Sequence, residues 1–167
     1  MEVPLILTLA IEENAFQFFN ALRNIYFPAE RNYIDAHLTL FHLLPNEPSI
    51  IDTVELVAKG HGDILLHVKE PSLTGNGVVY TIESDELVRL HKCLQEQWNT
   101  FLIPQDQQQL WPHITVQNKV EPGEATELLQ FLNENFCAFY AKGTGLQVWE
   151  YNSGPWKLFK QFNFIKN

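Results

Sequence analysis

The chain has 167 residues, 46% of them hydrophobic and 13% aromatic, which supplies a packed interior and excludes wholesale disorder. Its formal net charge of -9 and pI near 5.0 leave no basic stripe of the kind a long nucleic-acid groove uses to neutralise many phosphates. Any phosphate ligand is therefore expected to be small and held by a few local groups.

At the amino terminus, Met1-Glu2-Val3-Pro4 carries no basic leader, and the apolar run Leu5 to Ile11 is too short to span a bilayer. That run reads as a buried first strand. Glu12-Glu13-Asn14 opens a helix with Phe16, Phe19, Leu22 and Arg23 at helical spacing, closed by Pro28. A polar loop from Ala29 to Asp35 follows, with Arg31 and Tyr33. The next strand, Ala36 to Leu44, contains His37-Leu38-Thr39-Leu40 and stops at Pro45. Pro48-Ser49 starts a second helix ended by Gly60, and Ile64 to Val68 is a third strand. A turn around Gly75-Asn76-Gly77 pairs it with what comes next.

The pattern then recurs. Val78 to Ile82 is a strand, and Ser84-Asp85-Glu86 opens a helix with Leu87, Leu90, Leu94 and Trp98 on one face. A polar loop, Pro104 to Gln109, leads through Trp111-Pro112 to a strand from His113 to Gln117, which contains His113-Ile114-Thr115-Val116. Glu121-Pro122-Gly123-Glu124 opens a helix with Leu128, Leu129 and Leu132. Ala138 to Ile165 alternates and is rich in aromatics. Its Asn152-Ser153-Gly154 turn suggests a hairpin between Gln147–Tyr151 and Trp156–Phe164, packed by Trp149 and Trp156.

The order strand, helix, His-x-Thr strand, helix, strand therefore occurs twice. Thr8 lies 29 residues before His37 and Thr81 lies 32 before His113, as in two copies of one unit. The expected fold is α+β: one domain over residues 1–167 whose halves, approximately 1–73 and 74–167, are duplicated lobes about a pseudo-twofold axis. Antiparallel-rich sheets then line a central cleft that brings both histidines together.

In an extended strand, His and Thr two residues apart share one face while the aliphatics anchor the other. Paired imidazoles suit phosphoester chemistry: a neutral one accepts a proton from the attacking oxygen and a protonated one donates to the leaving oxygen. The Thr hydroxyls would donate to non-bridging phosphate oxygens as charge develops. Tyr33 and Trp111, just ahead of the two motifs, are candidates for stacking on a nucleobase. Arg31, Lys119 and Lys157 are candidates for balancing phosphate charge. His42 stands five residues from His37, so a continuous strand turns it to the opposite face and away from any metal site. His61, His67 and His91 read as non-catalytic, the first two without a carboxylate partner at ligand spacing. Cys93 and Cys137 form neither a disulfide framework nor a metal cluster and read as buried thiols in a reducing cytoplasm.

Two His-x-Thr-x motifs in a duplicated α+β chain of this size resemble the 2H phosphoesterases, the superfamily that includes the 2′-5′ RNA ligase and cyclic phosphodiesterase group. The resemblance covers essentially the whole chain and includes Pro112 directly before the second motif. It implies a bilobal fold, a site without metal or cofactor, and 2′,3′-cyclic or 2′,5′-linked nucleotide or RNA-terminal phosphodiesters as substrates. His37 and His113 match the catalytic histidines, and Thr39 and Thr115 the phosphate-binding threonines. Many members carry a basic residue where Gln107-Gln108-Gln109-Leu110 stands, and an Arg where Asn118-Lys119 follows the second motif. Tyr33, Trp111 and Lys119 complete the expected substrate-binding set. The resulting expectation is a cytoplasmic, monomeric hydrolase of RNA-processing type with no membrane partner. The rivals are a non-catalytic module that binds nucleotides or RNA ends, and a scaffold keeping only the fold.

Overall fold

The computed structural model describes residues 2–165. Met1, the start of the tetrapeptide Met1-Glu2-Val3-Pro4, and Lys166 and Asn167, the end of the expected domain, lie outside the described residues. Strand β1 (Leu5–Ile11), buried along nearly its whole length, pairs antiparallel with β2 (Leu38–Leu44) on one side and β6 (Phe139–Glu150) on the other. Beyond β6 come β3 (Ile64–Thr74), β4 (Gly77–Glu83) and β5 (His113–Gln117). The resulting order is β2-β1-β6-β3-β4-β5, every neighbouring pair antiparallel. The first part of β6 holds β3, and its last part holds β7 (Lys157–Asn163) on the edge away from β1. The two ends of this order, β2 and β5, come into contact with each other without pairing. These are the strands of the two His-x-Thr motifs.

Four helices complete the α+β fold: α1 (Glu13–Tyr26), α2 (Pro48–Lys59), α3 (Asp85–Trp98) and α4 (Pro122–Asn133). The chain runs β1-α1-β2-α2-β3, then β4-α3-β5-α4-β6, with β7 added. α2 and α4 start with Pro in the first turn, where the missing N–H costs no helical bond. α3 is capped by Ser84, whose Oγ accepts from the Leu87 N–H. The stripe Leu87, Leu90, Leu94 and Trp98 is buried as its spacing requires. Each such side chain contributes roughly 1.5–3 kcal/mol of apolar burial.

Two strands run further than expected. β3 continues to Thr74 because a register slip between Val68 and Pro71 accommodates the proline, which has no N–H for a ladder. It then turns directly through Gly75, whose φ of +47° suits glycine, into Gly77. β6 begins at Phe139, well before Gln147, because β3 pairs with its first residues. A further correction concerns the thiols. Cys93 and Cys137 are both exposed, Cys93 beside the buried Leu94 of α3 and Cys137 in the link between α4 and β6.

Candidate active site

Both motif strands show the alternation that their sequences dictate. Leu38 and Leu40 are buried while His37 and Thr39 are half-exposed, and Ile114 and Val116 are buried while His113 and Thr115 are half-exposed. Each strand then slips register immediately after its threonine. Against β1, Thr39 pairs with Thr8 but Phe41 with Leu7; against β4, Thr115 pairs with Val79 but Gln117 with Val78. The slip at β5 sits beside Gly77, where a Cβ would collide with the Gln117 carbonyl, so only glycine lets β5 lie this close.

The two imidazoles are held in the same way. His37 Nδ1 lies 2.8 Å from the Asp35 carbonyl and His113 Nδ1 lies 2.8 Å from the Trp111 carbonyl. A carbonyl only accepts, so Nδ1–H donates in both and Nε2 is left for other chemistry. Burial is the main reason His37 is pushed down to about 4; the charges of Arg23, His113 and His42 add to it, and the bond to Asp35 opposes it. His113 is also lowered, by burial first and then by His42, against the bond to Trp111. An indole packs on each ring: Trp111 stacks on His113 at 4.1 Å between centroids, and Trp156 lies tilted on His37 at 4.7 Å.

A cavity of about 440 Å³ opens beside His37 and Thr115, and Arg23, Arg31, Tyr33, Lys119, Tyr151 and Trp156 also line it. It therefore gathers three cationic side chains in a protein of net charge -9. Of the expected residues it brings together His37, Thr115, Tyr33 and Lys119, with Arg31 added. Trp111 and His113 stack on each other and do not line it, and Thr39 lies on β2 opposite Thr8. Lys157, the remaining cation candidate, is exposed on β7 and does not line it.

Arg23 is the residue that sequence reasoning missed. It is 4% exposed, yet its Nε donates to Asn32 Oδ1 and a terminal nitrogen donates to the Thr115 carbonyl, both at 2.9 Å. Its guanidinium lies 4.1 Å from the Phe27 ring centroid. Burial lowers it to about 10, Asp35 partly compensating, so it stays charged at neutral pH. The signal was available: a charged residue on the apolar face of α1. Trp156 was missed as well. It does pack Trp149 and Tyr151 in the hairpin, at 6.3 and 6.5 Å, but it also covers His37.

The slip after Thr39 corrects the expectation for His42. Leu40 and Phe41 are both buried, so the alternation shifts by one residue and His42 emerges exposed, on the phase of Thr39. Its Nδ1 lies 2.8 Å from Asp106, a buried carboxylate that also accepts from the backbone N–H groups of His42 and Leu43. Asp106 belongs to a short 3₁₀ turn, Pro104–Gln107, and occupies backbone donors on an edge of the sheet. His91 is buried, donating from Nε2 to the Leu40 carbonyl at 3.0 Å. His61 and His67, with no carboxylate at ligand spacing in the sequence, stand 3.8 Å from Glu86 and Glu83. Among the described residues no group of three or more His, Cys, Asp or Glu is arranged to hold a metal ion, and no helix is long and apolar enough to cross a membrane.

The family model of the 2′-5′ RNA ligase superfamily matches residues 11–155. TT0787 of Thermus thermophilus superposes with a TM-score of 0.68 at 14% identity, over 98% of this chain and 99% of its own. E. coli LigT complexed with 3′-AMP gives a TM-score of 0.61 at 14% identity, over 99% of this chain and all (100%) of its own. A structure described as a phosphoesterase gives 0.61 at 15% identity over 99% and 100%. At these identities the likeness is one of fold. No curated protein sequence matches.

Proposed function

The chain belongs to the 2′-5′ RNA ligase superfamily, within the 2H phosphoesterases, and from that premise we propose that it hydrolyses a small 2′,3′-cyclic or 2′,5′-linked nucleotide phosphodiester. One observation carries the reading: two imidazoles at the starts of adjoining edge strands, each with Nδ1–H committed to the carbonyl two residues back and Nε2 without a hydrogen-bond partner among the described residues. In the reaction, one neutral Nε2 takes a proton from water as the water oxygen bonds to phosphorus. The bond from phosphorus to the leaving oxygen breaks, and that oxygen takes a proton from the other, protonated imidazole. Water is consumed and no metal is needed for the proton balance.

Arg23, Arg31 and Lys119 of the cavity supply positive charge to the phosphate and Thr115 a hydroxyl donor, with Thr39 of β2 as the second hydroxyl donor. Tyr33 and Trp111, 60% and 47% exposed, offer open aromatic faces for a base. Burial lowers both histidines, which favours two neutral rings near neutral pH. The incoming phosphodiester anion then favours the protonated form that the acid must have. The 3′-AMP held by LigT is consistent with a small nucleotide ligand. A second reading, a module that binds nucleotide ends without turnover, is favoured by those two depressed histidines.

The test is turnover of 2′,3′-cyclic nucleotides and 2′,5′ dinucleotides with the chain as a monomer, after thorough chelation. Retained hydrolysis with a bell-shaped pH dependence is the expected result. Binding without product selects the second reading, and a requirement for added divalent ion ends the metal-free mechanism.

A further inference from the structure

Beside the cationic cavity, a row of polar side chains crosses four strands. Thr39 of β2 lies opposite Thr8 of β1, Thr8 opposite Gln147 of β6, and Gln147 opposite Gln161 of β7. Adjacent strands are about 4.8 Å apart, so the row reaches roughly 14 Å from the motif threonine, the length of a nucleoside with its phosphate.

Its hydrogen bonds run in one direction. The Trp149 indole N–H can only donate, and it gives to Thr8 Oγ1 at 2.8 Å. The Thr8 hydroxyl hydrogen goes to Gln147 Oε1 at 3.1 Å, Gln147 Nε2 donates to Gln161 Oε1 at 3.1 Å, and Gln161 Nε2 donates to Asn163 Oδ1 at 3.0 Å. Both amide oxygens are thus engaged within the row. Each amide nitrogen keeps a second N–H with no hydrogen-bond partner among the described residues.

Gln147 and Gln161 line a separate cavity of about 310 Å³, which Glu13 and Asp35 also line and which no Lys or Arg lines among the described residues. His37 lines both cavities. The cationic one suits phosphate, and this one suits an uncharged group that both accepts and donates hydrogen bonds.

We propose that this second cavity is a base-binding subsite that selects an oxo base, guanine or uracil, over an amino base, adenine or cytosine. The proposal rests on the reading of the site as one for nucleotides. An oxo base sets a carbonyl acceptor against the free N–H groups of Gln147 and Gln161, with its adjacent ring N–H available to a carboxylate. Adenine and cytosine set an amino donor against those donors, leaving both desolvated and unpaired. Trp149 acts as a positioning residue: its indole N–H holds the Thr8 hydroxyl, whose hydrogen lies on Gln147 Oε1 and so turns Gln147 Nε2 toward Gln161.

The experiment is calorimetric binding of 3′-GMP, 3′-UMP, 3′-AMP and 3′-CMP to the wild-type chain and to Gln161→Leu, Gln147→Leu and Trp149→Phe. It needs no turnover. The expected result is binding of 3′-GMP and 3′-UMP about tenfold tighter than the other two. Gln161→Leu, at an exposed position, reduces that ratio to about twofold by weakening the oxo pair alone, and the other two variants also narrow it. Equal affinity for all four in the wild type, or a preference unchanged in both glutamine variants, overturns the subsite. Failure of all four to bind overturns the nucleotide reading itself, and the subsite with it.

Discussion

The two motif strands, β2 and β5, are alike in backbone and unlike in surroundings. Both bury the aliphatics around their threonine, both tie the His Nδ1 to the carbonyl two residues back, and both slip register directly after the Thr. Yet His37 feels the buried Arg23 and carries a tilted Trp156, whereas His113 carries a stacked Trp111. After the slip, β2 presents His42 held by Asp106, while β5 presents Asn118 in the lining of the cationic cavity. What repeats is what local strand geometry imposes. What differs comes from elements that reach each strand from elsewhere, and it makes two similar imidazoles chemically inequivalent.

The largest expected effects test whether the imidazoles nevertheless work as a pair. His37→Ala and His113→Ala each reduce single-turnover hydrolysis of a cyclic nucleotide roughly 10²–10⁴-fold, the usual worth of a general acid or base. The double variant loses less than the product of the two, because groups acting as a unit are not additive. Full activity in either single variant, with folding verified by circular dichroism, breaks the pairing.

Arg23 links the halves, since it belongs to α1 but donates to the Thr115 carbonyl on β5. Arg23→Met removes the donors to both Thr115 and Asn32 and leaves their oxygens without them. An expected loss of about 3 kcal/mol in urea unfolding follows from charged hydrogen bonds of this kind. Turnover should fall beyond what the unfolded fraction explains, and a variant as stable as wild type refutes the link.

The inequivalence also has a signature in pH. His37 is held near 4 when folded against an ordinary value of 6.5, so between those values the unfolded chain binds the extra proton. Stability therefore falls as pH drops from about 6.5 to about 4, by up to about 3 kcal/mol from this residue, and the loss flattens below. The lowering of His91 and His113 adds in the same direction. His37→Gln should remove more of that slope than His113→Gln. Equal effects in chemical denaturation across pH 4–7 would make the two sites equivalent after all.

Much of this was legible in the sequence because alternation is local. The burial of Leu38, Leu40, Ile114 and Val116, and the half-exposure of the His and Thr between them, follow from period two alone. The four helices and the doubled element order were equally readable from apolar spacing and caps. His42 was misplaced because the register slip depends on how β2 pairs with β1, about thirty residues earlier, which no window around the motif contains. Trp156 at His37 and Arg23 at Thr115 are contacts between distant segments of the chain, and no local period encodes them. The exposure of Cys137 follows from its position in a link rather than from its residue type.

The smallest expected effect gives the sharpest form of the comparison. His42 and Asn118 occupy the same place after their slips, five residues beyond His37 and His113, so His42→Asn makes the two strands match there. The substitution removes the ring bond to Asp106 but leaves the backbone N–H bonds of residues 42 and 43 in place. One ring bond to a buried carboxylate that keeps its backbone donors is worth roughly 1–2 kcal/mol, and urea unfolding should report a loss of that size. Turnover should stay within a few-fold of wild type, because His42 takes no proton in the proposed reaction. Its charge does repel protons from both motif histidines, so its removal should move their titrations upward, readable from the imidazole signals by nuclear magnetic resonance. A loss of turnover beyond tenfold in a folded His42→Asn chain would instead place a third histidine in the reaction and end the description of the site as a pair.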